Sequence, residues 1–199
     1  DTISVDLRKS VGLNLAFPIS SNISGIENIS FRADVHRNID LSVLPQIGNV
    51  KINEGTTPEG TNLTLSLAVD QSLYLANLQD GNSSNATIDK GGAIIVAQDD
   101  EATSLNLHID NVGPEQSNVS ENVIIDISNQ RLASFNLHVN NKNSIGLVNS
   151  GGGLNTLKIL GIGSLNLSSI PDTTTHIDAS GSIVSLNTYL HETTMDFRG

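Results

Sequence analysis

Three groups of residues carry side chains able to do chemistry. His108 and His138 occupy matching places in two similar phrases, Ser104-Leu105-Asn106-Leu107-His108 and Ser134-Phe135-Asn136-Leu137-His138. With Asp110 nearby, such a pair could hold a transition metal through neutral imidazole nitrogens. The simpler account is that two outward polar positions happen to be His, because the corresponding places further on are Ser168 and Arg198. Asp99, Asp100 and Glu101 form the densest carboxylate cluster, and hard oxygen ligands on a connection suit calcium. Asp80, followed by Gly81 and Asn82, is a second calcium candidate of the same kind, although such a triplet is more often just a turn.

Catalytic signatures are missing. The chain has no Gly-x-Ser-x-Gly elbow, and His191-Glu192 lacks the second His of a zinc motif. Gly151-Gly152-Gly153 leads into neither a Lys nor a helical pattern, and reads as a turn. A pair of acids converging from distant coils of a β-helix is the one enzymatic arrangement that sequence order cannot reveal. The expectation is that the protein is not an enzyme.

The elements that position these groups are strands. Apolar residues alternate with polar ones in Leu63/Leu65/Leu67/Val69, Leu105/Leu107/Ile109, Val123/Ile125/Ile127, Phe135/Leu137/Val139 and Leu157/Ile159. That period of two places one face of each strand in a core. No stretch carries a helical stripe, and turn formers such as Lys90-Gly91-Gly92 and Val112-Gly113-Pro114 separate the runs. The class is all-β.

The two histidine phrases stand thirty residues apart, and similar ones follow at Ser164-Leu165-Asn166-Leu167-Ser168 and Thr194-Met195-Asp196-Phe197-Arg198. Ile94-Ile95-Val96, Ile124-Ile125-Asp126, Leu154 and Val184 keep the same spacing. A fixed period in this range points to stacked units that bury their apolar faces on one another. The expected architecture is a right-handed parallel β-solenoid (β-helix), with a β-sandwich as the alternative. Leu105, Phe135, Leu165 and Met195 would then form one internal row, and Asn106, Asn136, Asn166 and Asp196 an outer one. Residues 61–199 are read as this array of about 30-residue units, and residues 1–60 as a β-rich N-terminal part without clear register, a cap or a continuation.

Composition narrows the partners. Ten Lys and Arg against 21 Asp and Glu give a formal charge of −11, which repels phosphate backbones and anionic membrane surfaces, so neither nucleic acid nor membrane insertion is expected. Cysteine is absent, which removes disulfides and thiolate metal sites. Aromatics are only 3% with no Trp, so sugar recognition by ring stacking starts poorly supplied. Seven Asn-X-Ser/Thr sequons occur, at Asn22, Asn28, Asn62, Asn82, Asn85, Asn118 and Asn166, in a chain where Asn and Ser each exceed a tenth of residues. Chance supplies several of them. The chain begins at Asp1 without a signal-like stretch and is read as a mature or excised piece of something longer.

Leu157-Lys158-Ile159-Leu160-Gly161, then Ser164-Leu165-Asn166-Leu167, then Thr174-Thr175-His176-Ile177-Asp178-Ala179-Ser180-Gly181 resembles the repetitive regions of bacterial surface-layer proteins and related RTX-type secreted surface proteins. Asp196-Phe197-Arg198-Gly199 is similar to the lead-in to their glycine-aspartate calcium repeats, and the resemblance covers residues 92–199. No G-G-x-G-x-D nonapeptide occurs, so family calcium sites map onto no residues here. The resemblance implies a secreted or cell-surface structural segment that self-associates into an array, with calcium as cofactor. A cell-surface polysaccharide or host ligand is the partner if the module acts as an adhesin.

Overall fold

The computed structural model describes residues 1–6, 25–32, 37–57, 62–80, 93–113, 123–188, 190 and 196–199. Among these there is no helix, and the strands build a parallel β-solenoid of about six turns. Every strand pairing among the described residues is parallel.

Two stacks of strands alternate along the chain. The first contains β1 (Thr2–Asp6), β2 (Asn28–Arg32), β4 (Asn49–Thr57), β6 (Ser72–Asp80) and β8 (Ser104–Asp110). The second contains β3 (Arg37–Asp40), β5 (Leu63–Leu67), β7 (Ala93–Gln98) and β9 (Val123–Ile127). β10 (Ser134–Val148) and β11 (Thr156–Ser169) run through the corner and serve both stacks. β12 (His176–Asp178) and β14 (Asp196–Arg198) extend the first stack on β11, and β13 (Ser182–Thr188) extends the second.

The alternation expected from sequence is what the chain uses. β8 is buried at Leu105, Leu107 and Ile109, and β9 at Val123, Ile125 and Ile127. Inward residues stack coil upon coil into one continuous apolar cluster from Ile29 to Ile177. β1, β2 and β4 lie in the same parallel ladder as the later strands, with Ile3, Ile29, Val50 and Leu73 forming one row.

The repeat needs correction. Thirty residues separate coils at one step, where Ser134–Asn140 lie in register on Ser104–Asp110. The next step is shorter, because Phe135 stacks on Leu157 and not Leu165. Leu157 stacks on Ile177, and Ile177 on Phe197. Leu165 belongs to the second stack, between Asn143 and Leu186. Ile94 pairs with Ile125, which in turn pairs with Leu147, not along an Ile94/Ile124/Leu154 line. Met195 lies outside the described residues. A step of thirty after Phe135 therefore advances one coil and part of the next, landing on the other stack. Both stacks present the same Leu-x-Leu alternation to one core, so the pattern alone does not separate them. The steps that pair Leu73 with Leu107 and Leu105 with Phe135 are longer than the later ones.

Two polar rows fix the corners. At the first, Glu54, Asn77, Asn111 and Asn141 all adopt positive φ, between 53° and 58°. Asn tolerates this left-handed conformation better than other side-chain-bearing residues, which explains why three of the four are Asn, on the coils of β6, β8 and β10. The row is tied by Asn77 Nδ2 donating to Asn53 Oδ1 (3.1 Å) and Asn141 Nδ2 donating to Asp110 Oδ1 (2.7 Å). In β11 the corner passes to Gly161 and Gly163, where a Cβ would sit 2.2 Å from the carbonyl oxygens of Val139 and Asn141. No other residue permits so close an approach.

At the other corner the buried amides Gln71, Gln98 and Asn129 each reach the preceding coil. Gln71 donates to the carbonyls of Leu41 and Leu44, Gln98 to those of Ala68 and Val69, and Asn129 to those of Asp99 and Ala102. These bonds tie each turn to the coil before it, adding a second donor to the carbonyls of Leu41, Leu44, Ala68 and Asp99, which also accept a backbone N–H within their own turn.

Candidate functional site

The first stack presents its outward side chains in rows. The most chemically distinctive row runs along the middle of β4, β6, β8, β10 and β11 as Lys51, Tyr74, His108, His138 and Leu160. His108 and His138 meet on one outer face, as their matching phrases suggest, with ring centroids 4.2 Å apart and planes 12° apart. Tyr74 stacks on the other side of His108 at 4.1 Å and 9°. Its membership was not legible, since Ser72-Leu73-Tyr74-Leu75 invites alignment with Ser104-Leu105-Asn106-Leu107. The actual register pairs Leu73 with Leu107, and so Tyr74 with His108.

The geometry decides between chelation and packing. An imidazole lone pair lies in its ring plane, so two near-parallel stacked rings aim their lone pairs side by side and not at a common point. Such a pair is not set to share one metal ion. Burial is the main reason His108 is held down to about 4, with the charge of His138 adding to it. Burial likewise lowers His138, followed by the nearby Lys158. Both rings are therefore neutral at pH 7, and a neutral stack packs without repulsion.

The calcium candidates are dispersed. Asp99, Asp100 and Glu101 are all exposed in the connection after β7. Asp99 Oδ1 accepts the Glu101 backbone N–H at 3.0 Å, and the Asp99 carbonyl accepts from Ala102 N–H and from Asn129. The cluster thus shapes a turn on which the next coil is hung. Asp80 ends β6 opposite Thr57, and Gly81 and Asn82 lie outside the described residues. Among the described residues, no three His, Cys, Asp or Glu side chains gather into a metal-holding group. The structure also places no membrane-crossing helix among them.

An open pocket of about 320 Å³ lies at the C-terminal end of the first stack, lined by Asn155, Thr156, His176, Ile177, Asp178, Asp196 and Arg198. Sequence reasoning did not find it, because β11, β12 and β14 bring together residues about twenty apart. Its charged groups and His176 have partners within the pocket or just beside it. Arg198 pairs with Asp196 at 3.0 Å, and Thr175 Oγ1 lies 2.8 Å from His176 Nδ1. Asp178 Oδ1 accepts both the backbone N–H and the hydroxyl of Ser180 (3.0 and 2.6 Å), which hold its carboxyl below the usual range. His191 and Glu192 lie outside the described residues.

The remaining outward rows bond within themselves. Asn49 donates to Asn28, Asn136 to Asn106, Asn166 to Ser144 and Asn187 to Asn166, at 2.8–2.9 Å. Two sequon residues, Asn28 and Asn166, are thereby members of inter-coil ladders, which gives them a structural reason to be Asn. Asn22, Asn82, Asn85 and Asn118 lie outside the described residues. The chain matches no protein-family model, no curated protein and no solved structure among those compared.

Proposed function

We propose that this chain is a structural segment of a secreted bacterial cell-surface protein of the surface-layer kind, a solenoid that coats by associating laterally with its own copies in a calcium-dependent way. The observation that carries the reading is the use of the outer polar groups. Asn28, Asn49, Asn106, Asn136, Asn166 and Asn187 direct amides at neighbouring coils, and the acids of the terminal pocket bond to neighbouring side chains. A catalytic face would leave such groups unengaged as well as converging on a cleft. Support for lateral contact comes from Ile162 and Ile183, adjacent on β11 and β13 and 65% and 77% exposed. Adjacent exposed apolar side chains of this size mark contact surfaces.

Sedimentation of the purified chain over a concentration series, with calcium and with EDTA, tests the proposal. Calcium-dependent growth of the sedimenting species, lost in an Asp99→Asn/Asp100→Asn/Glu101→Gln variant, is the expected result. A monomer at every concentration, with a melting temperature indifferent to calcium, sinks it. The pocket at Asn155, His176, Asp178 and Arg198 favours a second reading, an adhesin module that binds a surface polysaccharide or host ligand. Saturable binding of a glycan by the monomer, abolished by Arg198→Ala, would move the assignment there.

A further inference from the structure

We propose that the Tyr74–His108–His138 stack is an acid-responsive seam in the solenoid, an uncharged joint between three coils at neutral pH that loosens when its imidazoles take up protons. The inference rests on placement and is independent of the surface-coat reading. Three rings from β6, β8 and β10 form one row, 4.1 and 4.2 Å apart. A β-solenoid is held together by nearest-neighbour contacts between coils, so a change confined to one row acts on those interfaces directly.

The surroundings make protonation unwelcome. Along the row, β4 contributes Lys51 beyond Tyr74, and β11 contributes the apolar Leu160 beyond His138. Diagonally, β11 contributes Lys158, whose charge acts on His138. Beside the rings, β8 and β10 contribute the uncharged Asn106, Asn136 and Asn140. The carboxylate flanking the rings is Asp110 on β8, whose oxygens accept bonds from Asn140 Nδ2 at 3.1 Å and Asn141 Nδ2 at 2.7 Å, and Asp178 on β12 lies beside Lys158 further along the same face. Two imidazolium rings at the stacking distance would repel each other and Lys158, with no carboxylate in their own row.

The sign follows from linkage. Both histidines titrate below their ordinary value in the folded chain, His108 at about 4. The unfolded state therefore binds more protons below about pH 6.5. Stability is whole above that pH and is lost as the pH falls through the window toward 4. With one proton taken up at His108 on unfolding, the unfolding constant rises by up to roughly tenfold per pH unit across that window, and the lowered His138 adds to the slope.

The test is hydrogen exchange of the full chain between pH 7 and 4, corrected for intrinsic rates, beside a His108→Phe/His138→Phe variant that keeps rings in the row and removes their titration. Amide protection in β8 and the first half of β10 should fall with acid in the wild type, before that of β11 and β13, and should hold in the variant. An NMR titration of the wild-type imidazoles keeps the proposal exposed should the variant not fold. His108 and His138 are expected to titrate below the ordinary imidazole value. Ordinary titration of all five, or equal acid loss of protection in wild type and variant, overturns the proposal.

Discussion

Replacing Phe135 with Ala gives the most direct reading of the core. Phe135 has 0% exposure and lies in the row Leu105–Phe135–Leu157–Ile177, so its ring touches the coil on each side. Truncating a fully buried Phe costs about 3–5 kcal/mol, from lost transfer energy and the cavity that remains. A domain of this size is stable by about 5–15 kcal/mol, so the loss is a large fraction of the whole. Urea unfolding followed by circular dichroism measures it, as a drop in midpoint with little change in slope. Phe197→Ala is the internal control, because Phe197 ends the same row and is 45% exposed. Its cost should be less than half as large. In a double-mutant cycle, Phe135 and Leu157 should couple by about 0.5–3 kcal/mol, whereas Phe135 and the distant Ile39 should add. A Phe135→Ala midpoint equal to wild type would refute the assignment of inside and outside, and additivity with Leu157 would refute the register.

The corner rows make separate predictions. Asn129→Ala removes the side-chain donor to the buried carbonyl of Ala102 and one of two donors to that of Asp99, and should lower stability by about 1–3 kcal/mol in the same urea assay. Asn111 sits at φ 54°, so Asn111→Val should cost about 1–2 kcal/mol while Asn111→Gly should be much milder in thermal melts. Glu54 holds the same conformation without being Asn, and its ion pair with Arg32 is half exposed. Glu54→Asn should therefore raise the melting temperature slightly, since an exposed ion pair contributes little.

Much of the fold was legible because a half-buried strand has an unmistakable period. Phe135, Leu137 and Val139 announce their inward direction by alternating with Asn136 and His138, and the structure buries all three. The step from β8 to β10 was legible too, since both phrases occupy the same stack and no insertion intervenes within them. Coil length was not. Leu165 looks like Leu105 and Phe135 because a second-stack strand obeys the same alternation, and nothing in Leu-x-Leu says which wall of the solenoid it lines. The corner signals were present as Asn111 and Asn141, each ending an apolar run, but their meaning depends on a backbone angle that the pattern does not state. At the candidate site, the histidine pair was readable from its repeated phrase. Tyr74 and the His176–Asp178–Arg198 pocket required the true register, because they assemble across coils of unequal length.

Every functional statement depends on which residues share a row, and the absence of cysteine allows that to be measured cleanly. Pyrene maleimide attached to Asn136→Cys and Lys158→Cys in one chain should give strong excimer emission, since these outward positions are register neighbours on β10 and β11. The same label on Asn136→Cys and Asn166→Cys should give monomer emission alone. Excimer from the second pair and not the first would restore the thirty-residue row and contradict the stacking described above.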